Sequence, residues 1–248
     1  MPKHLHAQLA SDLRREIAEG HLKPGDPVPS EAELGRDRQV SRITVRKALQ
    51  SLEQEGLLTA AAGRGRTVRG GHVYDWHLVS YEHKHQSHPD LDGWASDVAD
   101  QGGKPHEEVV AVEVVDPPGS VREHLTLPDD EMALLRRRIR YINGKPAQLS
   151  SSYFPYELVK GTAFMRPGSQ SAPGGLLASI GYPQVSKRHE ITARNATPEE
   201  ADELELLPGT PLIRHVLTGY SAKKRPLRCM VTLAASDVAR LVVEEGDL

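Results

Sequence analysis

The sequence of 248 residues contains one cysteine, Cys229, and no long apolar run. One cysteine excludes an internal disulfide and any zinc site built from several cysteines, and it favours a buried small hydrophobe at this position. No stretch of about 18 consecutive apolar residues occurs, and no apolar segment follows Met1, which argues against membrane spanning and secretion. We therefore expect a cytoplasmic protein without a membrane partner.

Charged residues are unevenly divided along the chain. Residues 1–70 hold 12 of the 31 Lys and Arg and 9 of the 34 Asp and Glu, which leaves 19 and 25 for the remainder. The two parts therefore carry net charges of +3 and −6. Since the length exceeds that of an ordinary single domain, we predict two domains, of which the first presents a basic surface suited to a phosphate backbone.

The first seventy residues predict three short helices and a β-hairpin. Apolar residues at every fourth position over 5–17 indicate the first helix. Ser30, with a glutamate three residues later, predicts a capping box for the second helix, and Ser41 caps a third helix that ends at Gly56. Strands on either side of a turn at 61–65 complete the pattern. This order is typical of a winged helix-turn-helix, whose third helix enters the major groove of DNA.

The third helix carries basic residues outside its apolar face. Arg42 and Arg46 are four residues apart and share one face, where two guanidiniums suit bidentate contacts with guanine. Ser41 and Thr44 suit phosphate oxygens near the helix N-terminus. An isolated Arg-x-x-x-Arg pattern is common on surface helices, but the capped helices and the basic hairpin around it favour DNA reading.

Four segments in this part resemble the GntR family of bacterial transcription regulators: LKPGDPVPSEAEL at 22–34, VSRITVRKAL at 40–49, LEQEGLL at 52–58 and GRG at 63–65. The resemblance implies that the third helix contacts DNA and that the wing enters the minor groove. The family usually has Gly or Asn where Gln39 stands and an aromatic residue where Val68 stands. The predicted DNA-binding residues are Ser30, Ser41, Arg42, Thr44, Arg46, Lys47, Gly63, Arg64, Gly65 and Arg66.

Residues 71–90 are interpreted as a linker between the winged helix-turn-helix domain at 1–70 and a second domain at 91–248. The linker contains three close histidines, His83, His85 and His88. No well-placed acid or cysteine completes a ligand set around them, so we predict neither a metal site nor a cofactor.

The second domain shows an internal repeat. Residues 118–146 and 198–226 both run helix, Leu-Pro turn, strand, turn, strand, with the two Leu-Pro pairs 80 positions apart. Asn143-Gly144 predicts a type I′ hairpin turn. A helix around Trp94 and a buried strand at 109–115 precede the first copy. We therefore predict an antiparallel α+β domain.

Arg136, Arg138 and Arg140 alternate along the first strand of this repeat and place three guanidiniums on one face. Such a face suits an anionic or hydroxylated ligand. An equally weighted alternative is that exposed arginines form surface ion pairs with acids of a neighbouring strand, which lie at Glu107, Glu108 and Glu113.

The second domain resembles the UTRA effector domain, with a chorismate-lyase-like fold, that is found in the HutC subfamily of GntR regulators. The resemblance implies a small-molecule pocket on the strands around Arg138, residues 150–153 and residues 189–192. Many members have Glu where Ser150 stands, and its absence argues against amino-sugar phosphates. The predicted effector-binding residues are Trp94, Arg136, Arg138, Arg140, Ser150, Ser152, Tyr153, His189 and Glu190.

These features predict a bacterial, dimeric, sequence-specific repressor that binds double-stranded DNA at a palindromic operator in the nucleoid and responds to a small molecule of unknown identity. One alternative is a repressor whose second domain only dimerises and binds no ligand. A remote alternative is a lyase-like enzyme acting on a small carboxylate. No Ser/His/Asp order, metal set or glycine-rich phosphate loop supports catalysis, so we predict that the chain is not an enzyme.

Overall fold

The computed structural model describes residues 5–61, 65–69, 73–78, 92–168, 170, 175–206 and 209–244. The chain divides into two compact units. The head unit comprises Met1–Val73, Ala196–Thr210 and Asp237–Arg240, and the sheet unit comprises Tyr74–Asn195, Pro211–Ser236 and Leu241–Leu248. Both units therefore draw on more than one part of the sequence.

The helices and strands follow one another in chain order. The first part contains α1 (Leu5–Ala18), β1 (Pro27–Val28), α2 (Glu31–Asp37), α3 (Arg42–Gln54), β2 (Leu58–Ala61), β3 (Gly65–Val68) and β4 (Tyr74–His77). The second part contains α4 (Gly93–Asp100), β5 (Pro105–Val115), α5 (Gly119–Leu125), β6 (Ala133–Ile142), β7 (Lys145–Pro155), α6 (Tyr156–Val159), α7 (Leu176–Ser179), β8 (Ser186–Asn195), α8 (Pro198–Glu203), β9 (Pro211–Tyr220), β10 (Pro226–Ala235) and β11 (Ala239–Val242).

The head unit confirms the predicted winged helix-turn-helix. Leu9 and Leu13 of α1 pack with Val45 and Leu52 of α3 in one buried cluster. A full capping box begins α2, and Ser41 is the N-cap of α3. These features form locally because a side-chain oxygen at the N-cap accepts a hydrogen bond from an otherwise unpaired helix N–H. The predicted helix starts are therefore confirmed.

The wing is an antiparallel sheet of order β1-β3-β2. Val68, which stands where the family usually has an aromatic residue, is buried in the head core. The turn between α2 and α3 contains Gln39, whose φ of 53° is left-handed. Such a φ favours Gly or Asn, which are the usual family residues at this position. The structure thus places a strained glutamine in the helix-turn-helix turn.

The sheet unit is built on six antiparallel strands in the order β5-β6-β7-β10-β9-β8. In chain order β5-α5-β6-β7 is repeated as β8-α8-β9-β10, of which α8 belongs to the head unit, and the strands of the two copies meet where β7 pairs with β10. Both helices are followed by a left-handed residue, Thr126 in one copy and Glu205 in the other. The predicted internal repeat is therefore observed and includes one more strand per copy than the sequence indicated.

The predicted strand at 109–115 is present within β5, but the prediction that it is buried is wrong. Strand β5 is longer and lies at the edge of the sheet, where its side chains alternate between partly buried and exposed. Val110 and Val114 are each at least 40% exposed. An apolar run in sequence cannot distinguish a central strand from an edge strand, because the number of neighbouring strands is set by the whole sheet.

The predicted turn at Asn143-Gly144 is present, and part of the predicted linker forms a strand. Asn143 and Gly144 both have positive φ, which confirms the type I′ turn between β6 and β7. Tyr74–His77 of the predicted linker forms β4, which pairs with β11. Tyr74 and Trp76 of β4 are buried and alternate with half-buried residues. The three histidines at 83, 85 and 88 lie outside the described residues.

The six-stranded sheet has two different faces. Val121 and Leu125 of α5 pack on one face against Val216 and Cys229, so the predicted burial of the cysteine is confirmed. Burial also raises the pKa of the Cys229 thiol to about 11. We call the other surface the arginine face, and it is defined by Arg136, Arg138, Arg140, Ser150, Ser152 and Arg228.

Candidate DNA interface and effector site

The N-terminus of α3 is held by a small hydrogen-bonded group. The Ser41 Oγ accepts a hydrogen bond of 3.2 Å from the Thr44 backbone N–H and lies 2.8 Å from Thr44 Oγ1. Ser41 is exposed and Thr44 is half-buried. Both hydroxyls therefore stand at the open end of the helix, where its unpaired N–H groups and dipole favour a phosphate.

The predicted basic face of α3 is present. Arg42, Arg46 and Lys47 are all exposed. Arg46, whose side chain is 59% exposed, forms an ion pair of 3.2 Å with Glu31 at the start of α2. The guanidinium of Arg46 is therefore oriented by an acid on the neighbouring helix.

Glu31 also accepts a hydrogen bond from Arg66 of the wing, at 3.3 Å. The hydrogen bond from Arg46, with a further one from Arg66, holds the pKa of Glu31 below its usual value. Arg66 is half-buried and makes a second contact of 2.6 Å with Glu53 of α3. In this arrangement Arg66 ties the wing to both helices. Sequence reasoning missed Glu31, although it stands directly after the predicted cap.

Ser30 and Gly65 are the other predicted DNA-binding residues that the structure describes. Ser30 forms the capping box, in which its Oγ accepts a hydrogen bond from Glu33 N and its own N–H donates to Glu33 Oε2. Gly65 begins β3 with a φ of 77°, a conformation that glycine adopts without strain. Gly63 and Arg64 lie outside the described residues.

The arginine face is brought together by strand register. Arg138 is opposite Ser150, and Arg136 is opposite Ser152, on the neighbouring strands β6 and β7. Residues directly opposite in an antiparallel pair share one face of the sheet. The predicted alternation of the arginines is therefore observed, and the two serines join them as expected.

The three arginines have different partners. Arg136 is fully buried and donates to the backbone carbonyls of Phe164, Arg166 and Gly168, so its guanidinium holds the chain segment after α6. Arg140 forms ion pairs with Glu107 and Asp92, and it lies 4.8 Å above the ring of the buried Trp94. Arg138 lies 3.5 Å from Glu107, while its buried Nε has no hydrogen-bond partner among the described residues.

The alternative of surface ion pairs is therefore correct about one partner, Glu107, and wrong about the exposure of the arginines. Glu107 does pair with Arg138 and Arg140, but neither arginine is exposed. Burial lowers the pKa of Arg138, because the charged guanidinium loses water without gaining a full set of partners. This buried site is more than a set of surface ion pairs.

Arg228 on β10 adds a fourth guanidinium, which sequence reasoning missed. Its Nη2 donates to Ser152 Oγ at 2.8 Å. Burial, with repulsion from Arg138 and Arg140, lowers the pKa of Arg228 to about 10. Aligning β10 with β7 through the internal repeat would have pointed to this strand. Within the described cluster, guanidiniums outnumber the carboxylates of Glu107 and Asp92, so the arginine face suits an anion.

Two of the predicted effector residues lie on the opposite face. Tyr153 packs with the α5 cluster, and the Glu190 carboxylate lies 2.6 Å from His124 Nε2 of α5. His189, by contrast, stacks on His215, with its Nδ1 2.9 Å from His215 Nε2. His215 is fully buried and also meets the edge of Trp76. The adjacent pair 189–190 thus divides between the two faces.

Comparison with known proteins identifies the family to which the chain belongs. The family model described as "Bacterial regulatory proteins, gntR family" matches residues 5–68, and the "UTRA domain" model matches residues 100–240, which is more than half of the chain. The chain belongs to the GntR family and carries a UTRA domain. This membership makes it a transcription regulator and not an enzyme.

Several curated relatives share this organisation. This UTRA-containing regulator is 26% identical over 241 residues to the HTH-type transcriptional regulator GgaR of Escherichia coli, which covers 97% of this chain and 91% of GgaR. It is 27% identical to the HTH-type transcriptional repressor NagR of Bacillus subtilis, over 88% of this chain and 85% of NagR. It is 32% identical to the mannosyl-D-glycerate transport/metabolism system repressor MngR of E. coli, over 63% of this chain and 60% of MngR.

The solved structures agree with the fold. The crystal structure of PhnF from Mycobacterium smegmatis matches with a TM-score of 0.60 at 18% identity, over 96% of this chain and 99% of PhnF. The α+β fold class, with a helical head followed by an antiparallel sheet, is thereby confirmed. Within the described residues, no helix is both long and apolar enough to cross a membrane.

Proposed function

We propose that this GntR-family regulator is a homodimeric repressor that reads a palindromic operator through α3 and the wing, and that an anionic small molecule on the arginine face changes its operator affinity. The observation that carries the effector class is the buried cluster of Arg138, Arg140 and Arg228. Assignment to the HutC subfamily, a cytoplasmic location, and domain limits of 1–70 and 91–248 around a linker are part of the same proposal.

The buried Arg138 Nε is the most direct support for an effector. A buried donor without a partner costs about 1 to 3 kcal/mol, and more when the group is charged, so an oxygen from a ligand would relieve this cost. Ser150 and Thr232, whose hydroxyls lie 3.3 Å apart on neighbouring strands, offer further polar contacts beside it. A carboxylate or phosphate matches this set better than a neutral ligand.

Thermal unfolding in a metabolite library tests the effector. A ligand of the folded state raises the melting temperature by mass action, by an amount equivalent to about 2.7 kcal/mol at a concentration of 100 Kd. We expect the active compounds to be carboxylates or phosphates and the shift to disappear in Arg138→Met. Arg122→Met, which alters an arginine outside the cluster, serves as the control.

The competing function has a specific observation in its favour. Glu107 and Asp92 neutralise part of the charge of Arg140 without any ligand. If no anion shifts the melting temperature while operator binding is intact, the second domain is a dimerisation module. A shift by neutral compounds alone would instead exclude the anionic class.

Strand β8 is the surface we propose for the dimer. It is an edge strand of the sheet, and its residues from 186 to 195 are mostly exposed. Val185 and Ile191 are 58% and 48% exposed. Long exposed edge strands pair readily with a second chain. Ile191→Lys is expected to give monomers in sedimentation velocity, whereas Val110→Lys on the opposite edge strand leaves the dimer intact.

In vitro selection from a random duplex pool at about 0.15 M salt tests operator reading, because nonspecific phosphate binding is already weakened at this ionic strength. A two-fold symmetric consensus is the expected result. Failure of the free protein and of the protein with metabolite pools to enrich any sequence would contradict the proposal.

Two neighbouring residues of α3 separate base reading from phosphate binding. Arg46→Ala is expected to weaken binding to the selected site by about 1 to 3 kcal/mol and to relax preference at one position. Lys47→Ala is expected to weaken all sequences alike and to lower the salt slope by about 1. Equal losses on selected and random duplexes for both variants would remove Arg46 from base reading.

A further inference from the structure

The recognition helix α3 exposes a large apolar residue among its cations. Ile43 is 69% exposed, the largest value for any large hydrophobic residue in the described part of the chain. It stands between Arg42 and Thr44, in the first turn of the helix. The N-terminal residues of a recognition helix are those that reach base edges in the major groove.

The geometry of α3 directs Ile43 away from the protein. The helix buries Val45, Ala48, Leu49 and Leu52 in the head core. At 3.6 residues per turn, Ile43 lies on the side opposite the centre of this apolar stripe. Arg46 and Lys47 follow it at spacings of three and four and therefore share its surface. Ile43 is thus in the middle of the basic face.

The charge around Ile43 restricts its possible partner. Scattered exposed apolar residues are ordinary on protein surfaces, but the cations at 42, 46 and 47 suit this surface to a polyanion. A duplex presents one apolar group in its major groove, the 5-methyl group of thymine. Apolar side chains recognise thymine by contact with this methyl group.

We propose that Ile43 determines specificity by packing on the methyl group of a thymine in each operator half-site. Arg42 and Arg46, which lie together on one side of Ile43 along the helix surface, would then fix the register through polar contacts. This inference rests on the proposed reading of the operator by α3. It adds a residue that makes no hydrogen bond to DNA and would be overlooked in a search for polar contacts.

Replacement of thymine by deoxyuridine tests the contact, because deoxyuridine keeps every hydrogen-bonding group and lacks only the methyl. The full chain is titrated with the duplex obtained by selection and with duplexes in which one thymine at a time is replaced. Loss of one buried methyl group is worth about 0.8 kcal/mol, which corresponds to about a fourfold change in affinity. We expect this loss at one thymine of each half-site for the natural chain.

Variants at position 43 complete a double-mutant cycle. Ile43→Ala is expected to bind the thymine duplex several-fold more weakly and to lose all sensitivity to the methyl group at that thymine, whereas Ile43→Val keeps part of it. Leu5→Ala, which shortens an exposed apolar residue of α1, serves as the control and should retain the full sensitivity. All these positions are exposed, so folding is preserved.

The outcomes distinguish this inference from the proposed function. If the natural chain enriches no sequence, either alone or with metabolite pools, operator reading itself fails. If it enriches a consensus but Ile43→Ala and the natural chain respond equally to deoxyuridine at every thymine, the role of Ile43 is overturned while operator reading stands.

Discussion

At the scale of single residues, Gln39 combines an ordinary side chain with a conformation that suits glycine. Its φ is 53°, and it is exposed in the turn between α2 and α3. A residue with a Cβ pays about 1 to 2 kcal/mol for the left-handed conformation, whereas glycine adopts it without this cost but loses more chain entropy on folding. The left-handed φ of Gln39 therefore destabilises the turn before α3 relative to the same turn with glycine.

Gln39→Gly is expected to raise the free energy of unfolding by about 0.5 to 1 kcal/mol in urea titration. Gln50→Gly provides the matched control, because Gln50 lies inside α3, where glycine costs about 1 kcal/mol. Two substitutions of the same residue type should thus change stability in opposite directions. A loss of stability in both would show that the turn is not strained at Gln39.

His215 makes stability depend on pH. Burial, with repulsion from His189, lowers the pKa of His215 to about 4. An unfolded histidine takes up a proton near pH 6.5, so the unfolded chain binds more protons than the folded chain between these two values. Stability contributed by neutral His215 is therefore present above about pH 6.5 and is lost as the pH falls towards 4.

We expect the free energy of unfolding to decrease over this range, by at most about 3 kcal/mol from His215 alone. His215→Gln should be less stable at neutral pH and should show a flatter pH profile. His21→Gln, at an exposed histidine of the head unit, is the control and should keep the slope of the natural chain. An unchanged slope in His215→Gln would assign the pH dependence to other groups.

At the scale of elements, the N-cap of α3 has two roles that a substitution can separate. Ser41 accepts a hydrogen bond from the Thr44 N–H and also stands where a phosphate is expected. Ser41→Ala should lower the free energy of unfolding by about 1 kcal/mol. Ser41→Asp keeps the cap and adds a favourable charge at the helix N-terminus, but it repels DNA.

Stability and DNA affinity should therefore rank Ser, Asp and Ala at position 41 differently. In thermal unfolding, the melting temperature of Ser41→Asp is expected to equal that of the natural chain and to exceed that of Ser41→Ala. In filter binding to the selected duplex, Ser is expected to bind best and Asp worst. If Ser41→Asp binds DNA as well as the natural chain, no phosphate lies at the start of α3.

Elements with local signals could be predicted from the sequence, and contacts between distant strands could not. The caps at Ser30 and Ser41 and the turn at Asn143 depend on neighbouring residues alone. The link from Arg228 to Ser152 spans 76 positions and depends on how β10 pairs with β7. The edge position of β5 likewise follows from the order of the complete sheet.

The sheet faces on which Tyr153 and Glu190 lie could have been predicted from the sequence. Successive residues of a strand point to opposite faces, so Tyr153 could not share a face with Ser152, nor Glu190 with His189. The resemblance to the UTRA domain indicates the strands that line a pocket, and the alternation of side chains along each strand decides which residues face it.

At the scale of the whole molecule, Arg69 joins parts of the head unit that are far apart in sequence. It follows β3 and is nearly buried, at 6% side-chain exposure. Its guanidinium forms a bidentate ion pair with the Asp237 carboxylate and donates a hydrogen bond of 3.0 Å to Thr210 Oγ1. The wing is therefore anchored to one residue directly before β9 and to another shortly after β10.

Asp237→Asn is expected to lower the free energy of unfolding by about 2 kcal/mol, because it leaves a buried guanidinium without its counter-charge. Asp116→Asn removes the acid of another two-residue ion pair, with Arg122, in which the acid is 79% exposed. That control should change stability by less than about 0.5 kcal/mol, as exposed pairs contribute little. Equal effects of the two substitutions would mean that Arg69 is not anchored by Asp237.

The anchoring of Arg69 has a consequence for hybrid regulators. The simplest design for such a hybrid cuts the chain once, after the wing. In this chain such a cut would transplant Arg69 without Asp237 and Thr210, so the new host would receive a buried cation that none of its own residues has been selected to meet. A successful exchange of the head of this chain has to carry Asp237 along with Arg69, or replace Arg69 by a neutral residue.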